Sequence, residues 1–362
     1  MNIYLILILA ILIGDYILTL IVETLNVRSA STEVPEEFKG YYDPERYKTS
    51  QKYLQENTRF GLVTSAVTLV VTLVFILAGG FNYVDLLARS FHRGPIVTGL
   101  IFAGILLLAS QLFSIPFSAY HTFVIEERYG FNRTTPKTFI LDLLKAWLVG
   151  GIVGGIAFAA ILWFFQTAGA LAWLYSWIAL ALFQLFLLLI APVVFMPLFN
   201  KFVPLEEGEI RKAIEDYAAS QHFKMKGVFK MDASKRSTKS NAFFTGFGRF
   251  RRIVLFDTLI ARHTTDELVS VLAHEMGHYK KGHILRSVLV SILTTGIMFF
   301  LLSLFINNRG LFAAFGMEYT SVYASIIFFA FLYAPISTLL SIAGNVLSRK
   351  HEREADAYAV ST

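Results

Sequence analysis

Long uninterrupted apolar segments constrain this chain more than any other feature of its sequence. Because an α-helix rises 1.5 Å per residue, about 20 apolar residues suffice to cross the roughly 30 Å hydrocarbon layer of a bilayer. Segments of this length recur along the 362 residues, which predicts an all-α integral membrane protein with seven transmembrane helices. The predicted spans cover residues 3–22, 61–80, 96–115, 146–165, 171–195, 284–305 and 321–347.

The composition supports a membrane protein and argues against a nucleic-acid partner. With 55% hydrophobic and only 16% charged residues, the chain is too apolar for an ordinary soluble protein. The net charge of +6 comes largely from Lys and Arg in the odd-numbered loops and the tail, and cytoplasmic loops of membrane proteins collect these residues. We therefore predict a lipid bilayer as partner and no nucleic acid. The same bias predicts that the N-terminus lies outside and that loops one, three and five and the tail lie in the cytoplasm.

The pentapeptide His274-Glu275-Met276-Gly277-His278 lies between the fifth and sixth predicted spans. On a helix, residues four apart share a face, so the two imidazoles can bind one zinc ion. Glu275 is then placed to take a proton from a zinc-bound water. Two ordinary surface histidines are the alternative, and the helical setting with apolar residues just before the motif disfavours it. The motif predicts one Zn²⁺ per chain, with His274 and His278 as ligands and Glu275 as catalytic base.

Catalytic zinc usually takes a third protein ligand and keeps one position open for water. The chain has no cysteine, which excludes thiolate ligands. His283 lies five residues beyond His278 and would point off the face of the pair on a continuous helix. Glu352 and Asp356, just after the seventh span, are four apart and share a helix face, so one can bind zinc while the other accepts the free N–H of a metal-binding histidine. A solvated, charged helix end is the alternative for this second group.

The largest polar stretch, residues 198–283, divides the chain into three predicted regions. Residues 1–197 hold spans one to five, residues 198–283 form a small soluble insert, and residues 284–362 hold spans six and seven and the Glu352 region. Within the insert we predict a charged helix at 206–221, strands at 228–233 and 253–256, and a helix at 264–281 capped by Thr265.

A second element of the insert, Asn241-Ala242-Phe243-Phe244-Thr245-Gly246, precedes the HExxH helix by about thirty residues. It is either a junction between a loop and a strand or an edge strand whose backbone pairs with an extended substrate peptide beside the metal. The basic run at 234–240 just before it is typical of a solvated loop or one that faces lipid headgroups.

Taken together, these motifs resemble the Ste24-type CAAX prenyl proteases of the M48 zinc metallopeptidases. The resemblance extends over residues 125–358 and rests on a combination of motifs. These are HEMGH at 274–278, SRKHEREAD at 348–356, SNAFFTG at 240–246, IEE followed by GFN at 125–132, PLFNKF at 197–202 and RIVLFDTL at 252–259.

The resemblance implies a fold, a site and a substrate class. It implies seven long helices that enclose a water-filled chamber, with a small gluzincin-like α+β zinc-protease insert. It assigns the ligands to His274, His278 and Glu352 and the base to Glu275, makes Asp356 the carboxylate behind a ligand, and gives substrate pairing to Asn241 and Ala242. Family members usually continue through a region with a His and an Arg suited to bind the oxyanion and the substrate carboxylate. That region is expected beyond Thr362, where this sequence stops.

The expected function is that of a membrane zinc endopeptidase that cleaves near the C-terminus of prenylated CAAX-type peptides or proteins. Two alternatives remain: a bacterial quality-control zinc protease of the HtpX type, and a transporter or channel with a degenerate zinc site. The site is expected on the cytoplasmic side, in either a bacterial inner membrane or the endoplasmic reticulum.

Overall fold

The structure is a computed structural model that describes residues 2–246 and 251–362. Its helices are α1 (Ile3–Ser29), α2 (Pro44–Leu77), α3 (Gly80–Arg89), α4 (Pro95–Tyr120), α5 (Pro136–Thr167), α6 (Ala172–Ile190), α7 (Met196–Phe199), α8 (Glu209–Ser220), α9 (Asp257–Ile260), α10 (Thr265–Lys280), α11 (His283–Ser303), α12 (Arg309–Ala314) and α13 (Val322–Ser361). Short 3₁₀ turns cover Glu36–Phe38, Gly169–Leu171 and Ala233–Lys235, and π-helical turns cover His121–Glu126 and Ala191–Phe195. The strands are β1 (Phe202–Pro204), β2 (Gly227–Met231), β3 (Ala242–Thr245) and β4 (Arg252–Phe256).

The seven predicted spans are confirmed by length and composition. Within residues 2–246 and 251–362, seven helical stretches are long and apolar enough to cross a membrane. They correspond to α1, α2, α4 with its π-turn, α5, α6 through α7, α11 and α13. The fold class is therefore that of an all-α membrane protein with a small sheet.

The fifth span ends later than the sequence predicts. Its predicted range closes at residue 195, between Pro192 and Pro197, but the helix widens into the π-turn Ala191–Phe195 and continues to Phe199. A π-turn accommodates a residue that lacks an N–H group, which explains why the helix is not broken. Gly130, which follows the third span, adopts φ +72°, a left-handed conformation typical of helix ends.

The chain forms two compact units, and each has its own core. The first comprises Met1–Gly130, Phe158–Trp173 and Met298–Thr338. Its core is rich in phenylalanine, and the Phe315 and Phe328 rings stack with centroids 3.8 Å apart. Buried Asp85 is satisfied within this unit, because Tyr323 donates a 2.5 Å hydrogen bond to it and Arg89 pairs with it at 2.7 Å. The division into regions 1–197, 198–283 and 284–362 rests on sequence segments and stays a prediction.

The second unit, Phe131–Ala157, Leu174–Ile297 and Leu339–Thr362, contains the sheet. Among the described strands the order is β1-β2-β4-β3, with β2 and β4 parallel and the outer pairs antiparallel. The apolar residues of β4 are buried because α8 and α10 cover the sheet: Leu255 shares a core with Ile214 of α8 and with Leu268 and Leu272 of α10. The sheet thus gives α10, which carries the HExxH motif, a rigid base.

The N-cap of helix α10 lies one residue earlier than predicted. Its N-cap is Thr264, not Thr265: the Thr264 hydroxyl accepts the Glu267 N–H at 3.4 Å, and the Glu267 carboxylate accepts the Thr264 N–H at 2.8 Å. This reciprocal capping box needs an acidic residue three positions after the cap, and only Thr264 has one, because Leu268 occupies that place relative to Thr265.

We predict that Thr264→Ala loosens the first turn of α10 and Thr265→Ala does not. Losing an N-cap costs about 1 kcal/mol, which corresponds to roughly fivefold faster local opening. Hydrogen exchange of the α10 backbone amides, followed by mass spectrometry, measures this. Equal acceleration in both variants would show that Thr264 is not the cap.

Candidate metal centre

Helix α10 brings the two histidines of the motif together. Residues 274 and 278 are one turn apart, and their Nε2 atoms lie 3.1 Å from each other. Both rings are partly buried, with about a quarter of each side chain exposed (27% and 22%). Two ring nitrogens with their lone pairs at this distance are favourable only if a cation or a proton lies between them.

The third group comes from α13, 74 residues further along the chain than His278. The Glu352 Oε2 atom lies 3.4 Å from His274 Nε2 and 3.6 Å from His278 Nε2. A tetrahedral zinc with bonds of 2.0–2.1 Å separates its ligand atoms by roughly 3.3 Å. The three observed separations bracket this value, so the donor set fits zinc in both chemistry and spacing. Of the two carboxylates that sequence left open as ligands, the structure therefore places Glu352 at the centre.

Asp356, the other carboxylate, lies behind His274. Its Oδ1 atom is 2.8 Å from His274 Nδ1, so the ring donates its N–H to the carboxylate and keeps the Nε2 lone pair free. Spacing left open which of residues 352 and 356 takes each role, and the assignment of Glu352 as ligand and Asp356 as supporting carboxylate stays a prediction. Asp356 itself is 69% exposed, so the hydrogen bond orients the ring without burying the carboxylate.

A contact between two small residues makes this geometry possible, and sequence reasoning missed it. Gly277 is buried, and a Cβ atom built on it would lie 2.9 Å from the Cα and O atoms of Ala355, which is fully buried. The backbones of α10 and α13 therefore touch between the motif and the carboxylates. A small residue inside each motif, Gly in HEMGH and Ala in HEREAD, was the available signal.

Glu275 lies between the two histidines on α10 and is half-buried. Burial raises its pKa above the ordinary value of 4.5; His274 opposes this shift, and the negative charge of Glu352 adds to it. Burial also lowers the pKa of His278, which favours the neutral ring that a metal requires. The site thus holds a carboxylate whose pKa is raised beside an imidazole, that of His278, whose pKa is lowered.

Glu275 lines a cavity of about 450 Å³ together with His278 and mostly apolar side chains. The walls include Phe243 and Phe244 of β3. The other lining residues are Gln184, Tyr279, Ile284, Ser287, Val288 and Ser291. Apolar walls with a few polar groups are typical of a ligand-binding pocket.

Asn241 and Ala242 lie at the start of the outermost described strand, β3, which pairs with β4 on one side. The Asn241 carbonyl accepts the Phe256 N–H at 3.0 Å, so the backbone of Asn241 faces β4. Because orientation alternates along a strand, the backbone groups of Ala242 and Phe244 face away from β4. The element is therefore a strand at an edge of the described sheet.

The basic run before β3 is exposed at both ends, as expected for a solvated loop, but its middle is anchored by specific contacts. The Arg236 guanidinium binds both carboxylate oxygens of Asp142, at 2.6 and 2.9 Å, and Asn200 Oδ1 at 2.9 Å. The backbones of residues 236 and 238 bond to Arg133 and Phe131. These contacts anchor the segment because a bidentate Arg–Asp pair fixes both position and orientation. They also hold together three of the sequence motifs, PLFNKF, GFN and the residues before SNAFFTG.

Comparison with known proteins decides the family. Residues 23–201 match the CAAX prenyl protease N-terminal region with five membrane helices, and residues 204–362 match peptidase family M48. This chain belongs to the M48 family of CAAX prenyl proteases. It is 38% identical to a probable CAAX prenyl protease 1 of Schizosaccharomyces pombe over 88% of this chain and 70% of that protein. It is 36% identical to a CAAX prenyl protease 1 homolog of Oryza sativa over 90% of this chain and 79% of that protein.

A solved structure extends the M48 assignment to the fold. The crystal structure of S. mikatae Ste24p superposes with a TM-score of 0.94 at 32% identity, and covers 99% of this chain and 88% of that one. The chain is thus a multi-pass membrane zinc metalloprotease of this family. The family resemblance read from the motifs is confirmed.

We predict that Gly277→Ala weakens zinc binding by at least about tenfold, as expected when the surroundings of a ligand are displaced. The added Cβ must push the α13 backbone at Ala355 away, and Glu352 and Asp356 move with it. Gly344→Ala on α13 is the matched control, because its Cβ would meet no atom within 4 Å. Competition with a chromogenic chelator measures the affinity, and equal values for the two variants would refute the packing argument.

Proposed function

We propose that this protease hydrolyses peptide bonds near the C-terminus of prenylated CAAX-type substrates, with His274, His278 and Glu352 holding zinc. The observation that carries the proposal is the convergence of three donor atoms beside a half-buried Glu275 at the edge of an apolar cavity. The names of the relatives, CAAX prenyl proteases from fungi and plants, support the substrate class.

The chemistry follows from the residues that face the centre. Zinc held there would supply Lewis acidity, which acidifies water and polarises a peptide carbonyl. Glu275 takes the proton from the attacking water and passes it to the leaving amine. Its raised pKa suits both steps, because a carboxylate whose pKa lies closer to the working pH takes up the proton more readily and can still give it to the more basic amine. Asp356 keeps the His274 ring oriented while charge develops at the centre.

The substrate would bind as an extra strand along β3. The backbone groups of Ala242 and Phe244 face away from β4 and can pair with an extended peptide, with Asn241 at the entry to the strand. Phe243 and Phe244 also line the cavity beside Glu275, so a peptide paired with β3 would place a side chain in it. The apolar walls favour the aliphatic residues that follow the prenylated cysteine in a CAAX sequence.

The loop charges support an active site on the cytoplasmic side. The even-numbered loops between the spans carry few basic residues, whereas loops one and three and the tail carry many. The centre is formed by the fifth loop and by residues just beyond the seventh span, which the same rule puts on that side.

We predict that Glu275→Gln lowers the cleavage rate by about 10²–10⁴-fold, because the base is lost. The amide keeps the shape of the side chain, so zinc content should stay near one ion per chain. His278→Ala is the companion variant and should lose both zinc and activity. Metal analysis and a peptide-cleavage assay on the same purified samples check this; an active Glu275→Gln enzyme would exclude Glu275 as the base.

We predict that a farnesylated CAAX peptide is cleaved with a kcat/KM at least about tenfold above that of the same peptide without the farnesyl group. Burial of the apolar chain adds binding energy that the control lacks. The comparison uses one sequence, one detergent and quantification of the released tripeptide. Equal rates would favour the quality-control reading over prenyl recognition.

A further inference from the structure

His283, five residues beyond His278, is among the most buried polar residues of the second unit, with 3% of its surface exposed. Gly282 adopts φ +69° between α10 and α11, and this left-handed turn brings His283 back toward the end of the motif. Its Nδ1 atom lies 3.0 Å from Nδ1 of His278. That contact is on the opposite edge of the His278 ring from Nε2, so His283 stands behind the ligand and does not join the donor set.

The other nitrogen of His283 reaches a carboxylate. Its Nε2 atom lies 2.9 Å from Oε2 of Glu354. Arg286 contacts the same oxygen at 3.3 Å, and Lys350 lies 3.8 Å from the other carboxylate oxygen, Oε1. Glu354 is two residues from both Glu352 and Asp356, so on a helix it points to a different side, toward α11. Glu354, the acid of the HEREAD motif that does not contact His274 or His278, thereby has a structural partner in His283.

Only one arrangement of protons leaves His278 able to bind a metal through Nε2. Its Nδ1 must then carry the proton and donate it to Nδ1 of His283, since two nitrogens 3.0 Å apart share one proton. His283 in turn donates Nε2–H to the Glu354 carboxylate. Every donor in this chain has an acceptor, so the hydrogen bonds are mutually consistent.

A second histidine, His351, packs against the face of the His283 ring. The ring of His351 stacks on His283 with centroids 4.0 Å apart and an angle of 11°. His351 is 5% exposed, and its Nε2 atom has no hydrogen-bond partner among the described residues. Packing of its face against His283 restricts rotation of that ring about χ2. Both nitrogens of His283 are engaged and the ring is buried, so it is not available to donate to a substrate oxyanion.

We propose that His283 and Glu354 form a positioning relay, Glu354–His283–His278, that sets the tautomer and orientation of the second metal-binding histidine. The proposal rests on the proposed function, because it assumes that His278 binds zinc. The two histidines of the motif are then supported in different ways. Asp356 contacts His274 directly, whereas Glu354 acts on His278 through an intervening imidazole.

The test is metal affinity and geometry, measured without turnover. His283→Ala should weaken zinc binding by about 10–100-fold, the usual effect of removing a partner behind a ligand. Glu354→Gln keeps a neutral acceptor and should lose less. His283→Asn places an amide oxygen near the Nδ1 position and should recover part of the affinity. His263→Ala is the matched control and should bind like the parent, because His263 lies just before the N-cap of α10 and its ring bonds to the Leu259 carbonyl.

Cobalt substitution adds a readout that a purely structural role would not change. The parent and His263→Ala should give the intense visible spectrum of tetrahedral Co²⁺, and His283→Ala should give a weaker, shifted one. Size-exclusion profiles of the metal-free proteins check folding, and if His283→Ala does not fold, His283→Asn and Glu354→Gln decide.

Two outcomes separate the proposals. If the parent binds zinc and all three relay variants match His263→Ala in affinity and spectrum, the relay is overturned and the proposed function stands. If the parent itself binds neither zinc nor cobalt, the proposed function fails and the relay with it. Reduced affinity in the graded order, with an unchanged control, supports the relay.

Discussion

The contact between Gly277 and Ala355 is the constraint on which the metal centre depends. The donors of a tetrahedral ion must lie roughly 3.3 Å apart, and one helix can supply only two of them from successive turns. The third must come from another helix, close enough for a glutamate to reach. Two small residues let the backbones of α10 and α13 meet, and Glu352 and Asp356 of α13 then fall on opposite sides of the His274 ring. A larger residue at either position would move the Glu352 carboxylate of α13 away from the two histidine rings of α10.

Other specific contacts orient α10, its histidine side chains and the segment that leads into β3. The sheet and α8 fix α10 through an apolar core, a capping box fixes its start, and a left-handed glycine fixes its end. The Nδ1 atoms of His274 and His278 contact Asp356 and His283, and these hydrogen bonds would fix both rings, because an imidazole with a free rear nitrogen can rotate or take the wrong tautomer. The Arg236–Asp142 pair gives comparable support to the segment that leads into β3. Rigid surroundings of this kind allow a site to act without reorganising at the moment of reaction.

Electrostatics at the centre follows from its partial burial. Glu275 and Glu352 are both acidic and lie near each other, which is unfavourable unless a cation is present or one is protonated. The raised pKa of Glu275 and the lowered pKa of His278 are two consequences of the same desolvation. A divalent ion would relieve the repulsion between the carboxylates, so the charge distribution and the spacing of the donors both favour a metal.

Much of this protein follows from its sequence alone. Apolar segments of membrane length determine the seven spans, because a bilayer leaves a helix as the simplest way to satisfy the backbone. The spacing within HEMGH and between Glu352 and Asp356 predicts which residues share a helix face, since that depends only on local geometry. Tertiary structure decided the contacts between residues far apart in the sequence, which spacing along one helix does not predict. It set aside His283 as a ligand and placed it behind His278, gave Glu354 a partner on another helix, and turned Asn241 and Ala242 into the start of an edge strand. These outcomes depend on contacts between residues tens of positions apart, and only the packing of α10, α11 and α13 brings those residues within hydrogen-bonding distance.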